Sequence, residues 1–261
     1  MPDLINSAKQ RLVANQPAVG FNIRQSRTVD VAQIAKTCGF DWLFIDMEHG
    51  ALDLETAAQI SLAALAVGIA PIVRVPGFEH HHATRALDAG ALGVVVPHVD
   101  TAEQARRIAD QCRFPPKGHR SIVGNMPQLA FESTPIAHAM AKVDEMTLLV
   151  VMLETEEAIA NADAIAAVDG IDVLLIGSND LTADMGITGQ FGDPKLDSAY
   201  DVIIAAARRH GKHAGLGGIY EEKLMGHFIR KGARFVLGGS DLAFMMSGAK
   251  SRAAFLRSVP L

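Results

Sequence analysis

Two hydrophobic patterns alternate along the chain. Short runs rich in Val, Ile and Leu recur at "AVGFNI" (18–23), "DWLFID" (41–46), "APIVRV" (70–75), "ALGVVVP" (91–97), "TLLVVMLE" (147–154), "DVLLIG" (172–177), "HAGLGG" (213–218) and "RFVLGG" (234–239). Apolar on both faces, they read as strands of a parallel sheet covered on both sides. Between them, segments such as "LETAAQISLAALAVG" (54–68), "TAEQARRIADQC" (101–112) and "LDSAYDVIIAAARRHG" (196–211) repeat apolar residues every three or four positions, the period of a helix lying on a core. Gly68 and Gly211 stand where such helices should stop. Eight βα repeats without a composition break or linker predict a single (β/α)8 barrel domain over 1–261 rather than an open sheet. The longest irregular stretch, 113–135, follows the fourth strand, and a structured loop of that length is expected to be functional.

Composition narrows the function without naming it. The formal net charge of −5 leaves no electrostatic footprint for nucleic acid. The N-terminal twenty residues lack a basic start followed by an apolar core, and no run reaches the roughly 18 apolar residues that span a bilayer, so neither export nor an anchor is expected. Cys38 and Cys112 have no paired spacing, and a reducing cytoplasm is the simplest home.

The chemistry collects where strands end, the rim on which such barrels carry their catalytic groups. "FDWLFIDMEHG" (40–50) closes a buried strand with Asp46, Glu48 and His49; strand three reaches Arg74, strand five ends at Glu154, and Asp180 follows strand six. Two carboxylates from neighbouring strands with few soft donors nearby suit a hard cation such as magnesium or manganese, with waters and substrate completing the shell. The same residues could instead cap helices or pair with Arg74, and "SND" before an apolar run is also a helix start. Arg74 either pairs with an acid or offers its planar fork to a carboxylate or enolate oxygen. His80, His81 and His82 read as a solvated loop, since consecutive residues converge poorly on one ion. The glycines at 215–218 and 238–239 either cradle a phosphate or permit tight turns. Schiff-base chemistry would need a rim lysine; no strand ends in one, and only Lys117 in the long loop is a candidate.

Six blocks in order, "GFDWLFIDMEHG", "PIVRVPG", "LDAGALGVVVPHVDTAEQA", "PPKGHRS", "VMLETEEAIANADAIAAVDGIDVLLIG" and "DLTADMG", resemble the HpcH/HpaI aldolases, which are metal-dependent pyruvate aldolases. The resemblance runs from about residue 18 to 240. It implies reversible cleavage of a 4-hydroxy-2-keto acid to pyruvate, or a related 2-keto acid, and an aldehyde through a metal-stabilised enolate. It also implies a divalent cofactor (Mg2+, Mn2+ or Co2+) held by Glu154 and Asp180, and Arg74 on the pyruvate. His49 becomes the acid/base residue, oriented by Asp88, with Asp46 beside it. Ser178, Asn179, Leu216 and Arg120 join Arg74 as candidate substrate contacts. Relatives assemble as trimers or hexamers, so a homo-oligomer is expected, with "DLAFMMSGAKSRAAFLRS" (241–258) docking on a neighbour through Phe244, Met245 and Phe255, and Arg120 reaching across. The other partners expected are the small-molecule substrates alone.

The chain departs from its relatives in three places. It has no tryptophan at its first strand, reading "VGFNIRQSRTVD" with Asn22, Arg24 and Arg27; Ser121 replaces glycine, and His98 replaces methionine. These positions bear on the acceptor, and the added arginines and histidines suit an acidic or polyhydroxylated one, or are solvated surface. Two rivals remain: a citrate-synthase-like or acyl-CoA lyase enzyme using Claisen chemistry on the same fold, and a non-catalytic barrel that binds a small acid.

Overall fold

The structure is a computed structural model that describes residues 4–260, with the side chain of His80 outside the description. Eight parallel strands close into a barrel in chain order: β1 (Ala18–Ile23), β2 (Trp42–Asp46), β3 (Ala70–Arg74), β4 (Gly93–Val96), β5 (Leu148–Leu153), β6 (Val173–Gly177), β7 (His213–Gly217) and β8 (Ala233–Ser240). The surrounding helices are α1 (Ser7–Val13), α2 (Asp30–Thr37), α3 (Leu54–Val67), α4 (His80–Asp88), α5 (Ala102–Cys112), α6 (Ile136–Met146), α7 (Glu156–Ala160), α8 (Ala162–Ala166), α9 (Ser178–Asp184), α10 (Pro194–Arg209), α11 (Glu222–Lys231) and α12 (Asp241–Ser258). All eight predicted strands are present. Their two-sided apolarity has a direct cause: residues of one parity fill the barrel, and those of the other pack under the helices.

The inner set includes Trp42, Phe44, Ile72, Val95, Val150, Met152, Leu175, Phe235 and Leu237; the outer set includes Leu43, Ile45, Val73, Val94, Leu149, Leu174 and Leu216. Trp42 stacks on Phe235 at 3.9 Å between ring centroids and donates Nε1–H to the Ala18 carbonyl at 3.1 Å. That ring fits because its neighbour across the β1–β2 ladder is Gly20, where a Cβ would collide with the indole. Below it, α1 closes the N-terminal rim, where Asn6 donates to the carbonyls of Leu92 and Met146 at 3.1 and 2.7 Å.

Helix signals act where the pattern put them. Asp53 caps α3 by accepting from the Thr56 amide, and Gly68 ends it in the left-handed region at φ 71°. Thr101 and Gln104 form a reciprocal capping box on α5. His80–His82 form the first turn of α4 rather than a loop, because Glu79 leaves the extended conformation directly into helix.

The 113–135 stretch lies away from its own chain's cleft. It follows α5, which runs back down the barrel, so it lies at the N-terminal rim and not over the strand ends. Arg113 ties it there, donating to the carbonyls of Asp144, Thr147 and Gly170 and to the Asp172 carboxylate. Lys117 sits on the same side beside Asp144 at 3.8 Å. Among the described residues, none of the helices is long and apolar enough to cross a membrane.

Candidate active site

Strand parity delivers the site. Residues 18, 20 and 22, 42 and 44, and 70 and 72 point inward, so Asp46 at the end of β2 and Arg74 at the end of β3 emerge into the barrel mouth as register partners. With Asn22, Glu154, Gly177 and Gly217 they line a cleft of about 160 Å3 that also takes in Arg24, His49, Ser178, Asn179, Asp180, Gly218, Tyr220 and Ser240. Drug-sized sites run to roughly 300–1,000 Å3, so this one selects a small ligand. No lysine lines it among the described residues, which leaves no Schiff-base nucleophile at the barrel mouth.

Arg74 is clamped. Its Nε and Nη2 donate to Asp46 Oδ1 and Oδ2 at 2.9 and 2.6 Å, its Nη1 lies 2.8 Å from Glu48 Oε2 as an ion pair without hydrogen-bond geometry, and its Cζ stands 5.0 Å from the Phe44 ring centroid. Asp46, fully buried, also accepts the backbone amides of Glu48 and His49 at 3.1 Å each. Burial pushes its carboxyl up, but Arg74 and those two amides outweigh burial and hold it below the usual carboxylate range. A strand can therefore end in charges, because they neutralise one another and fix one guanidinium in a dry place.

Glu154 is the opposite case. Burial pushes its carboxyl up to about 7; the amide and ring of His98 oppose this, while the charges of Asp180 and Glu48 push it further up. It sits against Gly177, where a Cβ would lie 2.7 Å from Glu154 Cγ and collide with Oε1, so only glycine leaves the carboxylate room. Asp180 stands in the first turn of α9, which makes the "SND" segment both a helix start and part of the cleft. Ser178 is buried with its hydroxyl on Tyr200 at 2.8 Å, and Asn179 packs against Gly218, which has φ +88°.

Glu154 and Asp180 are two hard oxygen donors facing one cleft. Among the described residues no group of three His, Cys, Asp or Glu could hold a metal by itself. Two protein carboxylates, one of them pushed towards its neutral form by a burial that His98 only partly offsets, fit a divalent cation whose remaining positions are filled by water and substrate.

His49 is about half exposed, with Nε2 3.9 Å from Glu48 Oε2. Asp88 is not beside it: α4 carries Asp88 to the N-terminal rim, where it pairs with Arg120 Nη2 at 2.8 Å. Within one chain the expected His49–Asp88 pair is therefore not formed, and Arg120 does not reach the cleft. Leu216 is likewise displaced, its parity turning the side chain into the outer core while Gly217 and Gly218 face the ligand space.

Sequence reasoning named Glu48 and His98 but gave neither a role in the site, and it did not name Tyr220 or Ser240, which line the cleft. His98, at φ 56°, donates its amide to Glu154 Oε2 at 3.0 Å, sets Nδ1 3.1 Å from the same oxygen, and sets Nε2 3.0 Å from Glu48 Oε1. The signals were there: Glu48 lies inside the charged strand end, and His98 directly follows the proline that closes the fourth apolar run.

The sequence profile described as HpcH/HpaI aldolase/citrate lyase matches residues 24–247. A 4-hydroxy-4-methyl-2-oxoglutarate aldolase of Hapsidospora irregularis is 41% identical over 97% of both chains. A hydroxypyruvate/pyruvate aldolase of Agrobacterium fabrum is 37% identical over 93% of this chain and 90% of its own. The solved structure of an HpcH/HpaI aldolase from Desulfitobacterium hafniense superposes with a TM-score of 0.91 at 27% identity, covering 97% of each chain. A barrel mouth built on Asp46, Arg74, Glu154 and Asp180, and relatives that align along almost the whole length, identify the chain as a member of the HpcH/HpaI aldolase/citrate lyase family.

Proposed function

We propose that this aldolase reversibly cleaves a 4-hydroxy-2-oxo acid to pyruvate, or a related 2-oxo acid, and a carbonyl acceptor. The clamped Arg74 at the mouth of a small cleft carries the reading: a cation locked by Asp46 and Glu48 is already oriented towards charge that develops only during reaction. The names of the relatives, one cleaving a 4-hydroxy-2-oxo diacid and one acting on hydroxypyruvate and pyruvate, support the substrate class.

Glu154 and Asp180 are the residues that would hold the divalent cation of the family. When bound, a Mg2+, Mn2+ or Co2+ ion supplies Lewis-acid polarisation of the keto acid. Arg74 stabilises the negative charge that reaches the keto oxygen as the C3–C4 bond breaks. His49, through a water, takes the proton of the C4 hydroxyl, which leaves as a carbonyl, and C3 then gains a proton to give the 2-oxo acid. In the synthetic direction the same proton returns to the acceptor oxygen.

The protein functions as a homo-oligomer in this reading. α12 buries only Asp241 of its 18 residues, and Met245, Phe255 and Leu256 are exposed by 57–62%. Phe244 already packs on Phe21 and Phe40 of its own barrel, so the rest of the helix is the face left for a neighbour. Asp88 and Arg120, on the rim away from their own cleft, then serve the His49 of another copy. The test is cleavage of 4-hydroxy-2-oxopentanoate after exhaustive chelation: activity is lost and returns with manganese. Full activity in the metal-free protein contradicts the reading.

A further inference from the structure

We infer that Arg24 is a carboxylate anchor for the acceptor half of the substrate, so that the preferred substrate is a 4-hydroxy-2-oxo diacid and the acceptor an oxo acid. This rests on the aldolase reading and adds a residue that fixes specificity. Arg24 is the first residue after β1 and lines the cleft. Its backbone is pinned: both oxygens of Asp241 accept the successive amides of Arg24, Gln25 and Ser26 at 3.2, 2.9 and 2.7 Å. Its Nε is buried without a partner, and its guanidinium forms no ion pair among the described residues.

The rest of the cleft explains why that cation is available. Arg74 is neutralised by Asp46 and Glu48, and Glu154 and Asp180 lie at the other side of the mouth as the cation-binding pair. Among the described residues of the cleft, Arg24 alone is left without a carboxylate. Beside it Asn22, 6% exposed, has its Oδ1 without a hydrogen-bond partner, and the Tyr220 phenol lines the same cleft and feels the charges of both Arg74 and Arg24. A planar guanidinium with unused donors, flanked by an amide and a phenol, is suited to a carboxylate and has nothing to offer an uncharged alkyl acceptor. Since Arg74 and the Glu154–Asp180 pair serve the 2-oxo acid end, an anion at Arg24 is the second carboxylate of the substrate.

The experiment compares kcat/KM for cleavage of 4-hydroxy-4-methyl-2-oxoglutarate and of uncharged-tailed 4-hydroxy-2-oxopentanoate by the wild type, Arg24→Gln, Arg24→Lys and Asn22→Asp. The wild type prefers the diacid. Arg24→Gln lowers the diacid-to-monoacid ratio on the order of 100-fold, as loss of a charge-assisted pair should. Arg24→Lys recovers part of the ratio, and Asn22→Asp, which supplies an internal carboxylate, lowers it. An active wild type whose ratio does not move in Arg24→Gln, or whose two substrates fall by the same factor, overturns the anchor and leaves the aldolase reading standing. A wild type that cleaves neither substrate with manganese present overturns both.

Discussion

Glu154→Gln should stabilise the metal-free protein at alkaline pH. A carboxyl raised from 4.5 to about 7 costs the ionised folded state on the order of 3 kcal/mol, at 1.36 kcal/mol for each pH unit. An acid raised on folding binds its proton more tightly in the folded than in the unfolded chain. Stability therefore declines as pH climbs from about 4.5 towards 7, and the deficit persists at higher pH. Glutamine keeps the shape and the acceptor for the His98 amide without the charge. In chelator at pH 8 its melting temperature should exceed that of the wild type by roughly 6–12 °C, at roughly 2–4 °C per kcal/mol for a chain of this size. At pH 5 the gap should nearly close. Scanning calorimetry across that range, repeated with manganese, gives the answer: the cation should raise the wild type and leave the variant where it was. A gap independent of pH, or a wild type that is the more stable at pH 8 without metal, would refute the buried carboxylate that His98 only partly offsets.

Arg74→Ala should slow pyruvate methyl proton exchange on the order of 100-fold and, by leaving Asp46 buried without its partner, lower stability by about 3–5 kcal/mol in chemical denaturation. Gly177→Ala should weaken manganese binding, read by calorimetric titration, because the new methyl group must displace the Glu154 carboxylate, while circular dichroism stays that of the folded barrel. His49→Ala and Asp88→Asn should each depress cleavage, the former on the order of 100-fold. Mixed and reassembled, the two variants should regain activity, since some sites then hold an intact histidine facing an intact aspartate; a mixture no better than its parts would deny the shared site.

The strands were legible because their cause is local: a run buried on both faces must be apolar at every position, so β2 and β5 announce themselves. The barrel mouth followed from the same rule, as the end of a buried strand is where Asp46, Arg74 and Glu154 break the pattern. Rim assignment was not legible for 113–135 or for Asp88. Both sit next to site-like residues in sequence, but a helix, α4 or α5, carries the chain to the other end of the barrel. Leu216 was misplaced by one step of strand parity, which turns a side chain from the ligand to the helix layer. His98 could be seen only as an oddity, because its partners Glu48 and Glu154 lie 50 and 56 residues away.

The most direct measurement is exchange of the pyruvate C3 protons with deuterated solvent, followed by NMR with no acceptor present. With manganese the wild type should exchange rapidly, and with chelator, Arg74→Ala or Glu154→Ala, exchange should fall towards the uncatalysed rate. Exchange that ignores the metal and survives loss of Arg74 would contradict enolate stabilisation at the barrel mouth.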